Sequence, residues 1–192
     1  MQRLILASTS PYRKTLLQRL GLSFETASPD VDETEILGES PAATARRLAE
    51  AKARVVAVRY PDALIIGSDQ VAALGELRLN KPITHEVAVR QLQTARGKSV
   101  QFHTALCVLD ATNGRAETRV VSSTVHFRNY SNAQIENYLR LEKPYDCAGS
   151  AKSEGLGIAL IARLESDDPS ALIGLPLIAL TEMLFVHGVS AI

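Results

Sequence analysis

The chain has 192 residues, 46% of them hydrophobic, with 21 Lys plus Arg against 21 Asp plus Glu. That length suits one domain, or two tightly joined lobes, around a substantial core. Zero formal net charge and 5% aromatic content argue against wrapping long nucleic acid or holding an anionic membrane by bulk charge, yet leave room for a small anion gripped by a few local cations.

The opening stretch has only the short apolar run Leu4-Ile5-Leu6-Ala7 before Ser8, less than a signal peptide needs, and no segment approaches the roughly 18 apolar residues of a membrane span. Cys107 and Cys147 lack metal-ligand spacing and read as reduced, partly buried thiols. A cytoplasmic protein without membrane contact is expected.

In chain order, Leu4–Ala7 reads as a first strand, followed by the turn Ser8-Thr9-Ser10-Pro11 and a helix from Pro11 to about Leu20. Ser10 is the expected N-cap, Pro11 suits the first turn and Gly21 the stop. Leu16, Leu17 and Leu20 supply the core stripe. Strand, hydroxyl-rich turn and helix together aim backbone N–H groups and a positive helix end at one point, a place for phosphate. Arg13 sits in that first turn, against the dipole; it is either solvated or waiting for an anion. Phe24–Ala27 reads as a short strand, and Asp30-Val31-Asp32-Glu33 with Glu35 as an acidic loop. Such a loop is either solvated or a source of carboxylate oxygens for Mg²⁺.

Ser40-Pro41 opens a second helix to about Arg59, with Leu48, Val55 and Val56 on its apolar side. Lys52 shares that side by its spacing. It either snorkels to the surface or reaches into a cleft. Ala63–Val71 carries four apolar residues into Gly67-Ser68-Asp69 and reads as a strand buried on both faces with an acid at its end. A carboxylate is costly to desolvate there, so Asp69 either caps a following turn or has a chemical role. Gly75-Glu76 marks a hairpin. Pro82 holds Lys81 extended, and Thr84 caps a helix closed by Gly97.

Val100–Leu109 and Glu117–Phe127 around Asn113-Gly114 predict a long antiparallel ribbon added to a parallel core. His103 and His126 lie in it without partners at ligand spacing and read as structural. Ser131 and Gln134 have capping-box spacing ahead of a helix with Ile135, Tyr138 and Leu139 inward. Lys143–Gly157 is a polar, Gly-containing loop suited to ligand contact. Ile158–Ile161 reads as a strand, Asp167-Asp168-Pro169 as a turn, and Gly174-Leu175-Pro176 precedes a last helix carrying Ile178, Leu180, Met183 and Leu184.

Ala7-Ser8-Thr9-Ser10-Pro11-Tyr12-Arg13 resembles the A-S-x-S-P-R-R opening of the Maf family. Glu33, Lys52 and Gly67-Ser68-Asp69 stand where that family has an acid, a helix lysine and a G-A-D strand end. Lys81-Pro82 and Gly174-Leu175-Pro176 match as well. The resemblance runs in the same order and spacing over nearly the whole chain.

It implies a single domain over residues 1–192, of two lobes: an α/β fold with a mixed sheet, flanking helices and a central cleft, similar to inosine triphosphate pyrophosphatases. The implied activity is cleavage of a nucleoside triphosphate to monophosphate and pyrophosphate with a divalent cation, Mg²⁺ or Mn²⁺. Carried over by position, Ser8, Ser10, Arg13, Lys52 and Lys81 bind substrate, Glu33 and Asp69 hold metal, and Asp69 is the general base. Whether Asp69 acts as base or as metal ligand stays open at this point. A homodimer is compatible with the sequence.

Three departures, Tyr12 for Arg, Gln70 for Thr and Glu154 for Gln, resemble the branch acting on 7-methylguanosine triphosphate rather than dTTP or UTP. Guanine offers N1–H and N2–H side by side, both of which a carboxylate accepts; uracil and thymine flank one N–H with two carbonyls, which suits a Gln. N7 methylation makes the base cationic, which favours a tyrosine face by roughly 0.5–2 kcal/mol and also favours a carboxylate. The rival readings are a pyrophosphatase for dTTP, UTP or another modified nucleotide, and a nucleotide-binding regulator that restrains cell division.

Overall fold

The computed structural model describes residues 2–192. Its elements are β1 (Arg3–Ala7), α1 (Pro11–Gln18), β2 (Glu25–Ala27), α2 (Pro41–Ala57), β3 (Ala63–Leu74), β4 (Leu77–Arg78), α3 (His85–Ala95), β5 (Ser99–Asp110), β6 (Arg115–Phe127), α4 (Asn132–Glu142), β7 (Ile161–Ser166) and α5 (Leu177–Val186). They form one mixed seven-stranded sheet in the order β2-β1-β3-β5-β6-β7, with β4 beside β3. Strands β2, β1 and β3 are parallel. The β5–β6 ribbon joins β3 antiparallel and ends on β7. This is the α/β architecture expected, with a long ribbon on a parallel core.

The helices start where their caps predict. Ser10 Oγ accepts from the Arg13 N–H, Ser40 Oγ from Ala43 and Thr84 Oγ1 from Val87. Ser131 and Gln134 close a full capping box. Helices α1 and α2 stop two residues short of the expected ends, in turns. Strand β3 alternates its apolar residues between two cores. Leu64 and Ile66 join α1 and α5 on one face; Ala63 and Ile65 join α2 on the other. A third cluster fills the space between α3, α4 and the ribbon's far end. Among the described residues no helix is long and apolar enough to cross a membrane.

Two expectations are corrected. Ile158–Ile161 is not a strand: Leu156–Leu160 forms a 3₁₀ turn, and the strand is Ile161–Ser166. The reason is the partner. Strand β6 ends at Phe127, which pairs with Ile161, so residues before Ile161 have no ladder to join. The second correction concerns Asp69, which does not end its strand. β3 runs on to Leu74, and Asp69 lies opposite Ala105 of β5.

What stops near Asp69 is the neighbouring strand. β1 pairs with β3 only as far as Ala7 opposite Gly67, and β4 takes up that edge at Ala73. Between them one edge of β3 is open, a crevice beyond the carboxyl end of a parallel strand, where α/β sheets place ligands.

Gly67 brings α2 to this edge. A Cβ there would lie 2.2 Å from the Ala49 carbonyl oxygen and 3.0 Å from the Ala53 Cβ. We expect Gly67→Ala to cost about 1–3 kcal/mol, as overpacking against backbone does, and to lower Tm by roughly 2–4 °C per kcal/mol at this size. Thermal unfolding checks it; an unchanged melting temperature would refute the close approach.

Candidate active site

The open edge of β3 forms the floor of a cavity of about 490 Å³, within the roughly 300–1,000 Å³ range of small-molecule sites. Its lining includes Ser10, Tyr12, Arg13, Glu33, Lys52, Asp69, Gln70, Lys81 and Glu154. Nine residues singled out in the sequence therefore share one cavity. Ser8, the tenth, does not line it. Its hydroxyl accepts the Ser10 N–H at 3.1 Å, so Ser8 shapes the turn while Thr9 faces the cavity.

At the centre, Lys52 from α2 donates to Asp69 Oδ1 at 2.6 Å and lies 2.6 Å from Glu33 Oε1. Lys52 is 6% exposed and Asp69 8%. The lysine thus reaches into the crevice rather than snorkelling out, and Asp69 caps no turn. Burial opposes ionisation of Glu33, but the hydrogen bond and charge of Lys52, with Lys81 and Arg13, outweigh it and hold its carboxyl below the usual range. The acidic loop is accordingly not a uniform solvated run. Glu33 faces Lys52 at the cavity while staying half-exposed, Glu35 accepts from Asn80 at 2.9 Å, and Asp32 accepts from Thr34.

Arg13 is half-buried, with Nε donating to the Gly174 carbonyl at 2.8 Å. Burial lowers its guanidinium from the ordinary value, while Asp69 and Glu33 raise it. A cation held in a desolvated place gains from an arriving anion. The helix end itself offers less than the sequence suggests. Pro11 has no N–H and the Arg13 N–H is taken by Ser10, which leaves Tyr12 as the uncapped donor of the first turn. Lys81 stands at the exposed rim.

The base-specificity candidates divide. Tyr12 and Glu154 line the cavity. Tyr12 donates its hydroxyl to Asp146 Oδ1 at 3.2 Å. Burial, then Cys147 and Asp146, push its phenol well above the ordinary value, so it stays protonated. Gln70 lines the cavity as well, but its side-chain nitrogen lies within 3.0 Å of Thr104 Oγ1 and of the Ala171 and Leu172 carbonyls. That amide nitrogen ties β3 to the Ala171–Leu172 part of the cavity wall.

Other groups were missed by sequence reasoning. Ser68 Oγ lies 2.8 Å from the Ala105 carbonyl and 2.9 Å from that of Gly174, and donates to one at a time. Asp168 is buried and caps the start of α5 through the N–H groups of Ile178 and Ala179. Asp146 and Arg78 also line the cavity. Only Ser68 carried a signal, as a polar residue inside an apolar strand. Cys147 is in the lining too; burial, followed by Asp146, pushes its thiol up to about 12, which leaves it inert as a nucleophile.

Among the described residues no cluster of three or more His, Cys, Asp or Glu forms a metal cage. A Mg²⁺-type ion held by one or two carboxylates plus substrate phosphates needs none. Glu33 and Asp69, hard oxygen donors converging on one point at Lys52 Nζ, fit that donor set.

A family model described as Maf-like protein matches residues 3–186. The chain belongs to the Maf family. Among curated relatives, the protein of Methylobacillus flagellatus is 60% identical over 192 residues, all of both chains. That of Cupriavidus pinatubonensis is 58% identical over 188 residues, 98% of this chain and 94% of the relative. That of Nitrosospira multiformis is 56% identical over 191 residues, 100% and 96% respectively. All three relatives carry the name 7-methyl-GTP pyrophosphatase.

Proposed function

We propose that this chain hydrolyses 7-methyl-GTP to 7-methyl-GMP and pyrophosphate, removing a modified nucleotide from the cytoplasmic pool. The observation that carries the reading is the shared cavity. It sets a buried acid, Asp69, among Lys52, Arg13 and Lys81, and adds a tyrosine and the exposed carboxylate of Glu154. Full-length relatives bearing that activity in their names support it.

In this reading the triphosphate lies between the Ser10–Arg13 turn, Lys52 and Lys81. Asp69 Oδ1 is held by Lys52, so Oδ2 is left to take a proton from water. The water oxygen bonds to the α-phosphorus, the bond from that phosphorus to the bridging oxygen breaks, and pyrophosphate leaves with the electron pair. Arg13, Lys52 and Lys81 stabilise the charge that develops on the phosphate oxygens. Glu33 and Asp69 would hold Mg²⁺ or Mn²⁺, which when bound supplies further charge neutralisation at those oxygens. Tyr12 and Glu154 receive the cationic base, the first through its ring face and the second through N1–H and N2–H.

Pyrophosphate release across 7-methyl-GTP, GTP, dTTP and UTP, with Mg²⁺ and with Mn²⁺, tests this directly. Glu154→Gln should cut the preference for 7-methyl-GTP over dTTP by about 10–100-fold, the worth of one charge-assisted hydrogen bond. An unchanged ranking removes Glu154 from base recognition. Tight triphosphate binding without any pyrophosphate release would instead make the chain a nucleotide-binding regulator.

A further inference from the structure

Glu142, the last residue of α4, lies outside the cavity lining and plays no part in the chemistry above. Its side chain is only 11% exposed, an unusual place for a carboxylate without a task. Its two oxygens are both used. Oε1 accepts from Lys152 Nζ at 2.7 Å, and Oε2 accepts from the Leu156 backbone N–H at 2.6 Å. These partners flank Glu154 by two residues on either side.

Gly155 lets the loop come this close, since a Cβ there would lie 2.5 Å from Glu142 Oε2. The φ of Gly155 is −122°, so the glycine is explained by space rather than by a left-handed backbone. One turn earlier on α4, Tyr138 adds a second anchor. Its hydroxyl donates to the Ser150 carbonyl at 3.2 Å and accepts the Lys152 N–H at 3.0 Å. The ammonium that Glu142 holds lies 5.7 Å from the centroid of the Tyr12 ring. One largely covered carboxylate therefore ties down the loop bearing Glu154 and the cation against Tyr12.

We infer that Glu142 is a positioning residue for base recognition, fixing the 152–156 loop so that Glu154 and Tyr12 face the base together. The inference rests on the base-reading role given to Glu154 above. It follows from the need to lock a recognition group by partners of its own, because a free loop acid would meet the base in many geometries. Hydrogen bonds to an ionised acceptor are the strong kind suited to the purpose. The Lys152 hydrogen bond, then that of Leu156, hold the Glu142 carboxyl below its usual range, which favours the ionised form that accepts both.

The test is a double-mutant cycle on the full chain. KM and kcat for 7-methyl-GTP are measured for Glu142→Gln, Glu154→Gln and the double variant, each with a thermal melt. Glu142→Gln should raise KM at least about tenfold, within the roughly 10²-fold that an ångström of misplacement costs, with kcat held near the parent value. A variant that had merely lost folded protein would show the opposite split, lower apparent kcat at unchanged KM. The double variant should be no worse than Glu154→Gln alone, since the two act through one contact. Gly155→Ala, which crowds Glu142 without removing charge, should raise KM in the same way and covers the case in which Glu142→Gln does not fold. Unchanged KM in both loop variants, or effects that multiply with Glu154→Gln, overturns the inference. If Glu154→Gln itself leaves KM and ranking as they were, the base-reading scheme has failed first.

Discussion

Asp69→Asn is expected to lower kcat by about 10²–10⁴-fold, the range for a positioned general base, while the chain stays folded. The substitution keeps the shape of the side chain inside β3, and Lys52 keeps Glu33 as a partner at 2.6 Å. What disappears is the oxygen able to take a proton from water, together with one hard ligand for a divalent ion. Pyrophosphate release at saturating 7-methyl-GTP, with a thermal melt alongside, checks this. A rate near the parent's would remove Asp69 from the chemistry. Metal titration of the variant separates its two roles: a weaker metal midpoint with a recoverable rate marks a ligand, and an unrecoverable rate marks the base.

Lys52→Met is expected to damage both stability and turnover. The two oxygens it bridges lie no more than twice 2.6 Å apart, so removing the ammonium leaves two carboxylates facing one another. Stripping one partner from a buried ion pair costs about 3–5 kcal/mol. The cost here belongs near the low end, because the Glu33 side chain is 58% exposed and can turn to water. The triphosphate also loses a buried cation, and kcat/KM should fall by about 10²–10³-fold.

The pH dependence carries the sign. In the parent chain the Glu33 carboxyl is held below its usual 4.5. Its contribution is present above that value and lost as pH falls. In Lys52→Met the facing carboxylates disfavour a second charge, so one folded-state carboxyl lies above its unfolded value. That contribution is present at low pH and lost as pH rises. The stability gap between parent and variant should therefore be widest near neutral pH and shrink on acidification. Denaturant melts at a series of pH values measure it; a gap constant with pH would show that the ion pair is not what the lysine supplies.

Much of the fold was legible because its signals close over a few residues. Ser10, Ser40, Thr84 and Ser131 each bond an N–H three positions on, so spacing alone located the helix starts. The Gly75 turn has the positive φ that a glycine provides. The site was legible in its members but less so in their duties. Arg13, Glu33, Lys52, Asp69, Lys81, Tyr12 and Glu154 do share a cavity. The sequence does not show that the Ser8 hydroxyl accepts within the turn, or that the Gln70 amide nitrogen bonds the cavity wall. A hydroxyl or amide has several partners within reach, and only packing chooses between them.

By itself, then, the order of residues determined most of the elements, the caps of α1 to α4, the parallel core with its ribbon, and the membership of the Maf family. The tertiary structure alone decided where β1 stops beside β3, and hence that Asp69 opens onto a crevice in mid-strand. It also decided that Lys52 turns inward and that Glu142 reaches the 152–156 loop. The physical reason is range. Lys52 and Asp69 are separated by 17 residues, Tyr12 and Asp146 by 134, Arg13 and Gly174 by 161. Contacts over such separations are set by how whole faces pack, and no local pattern records them.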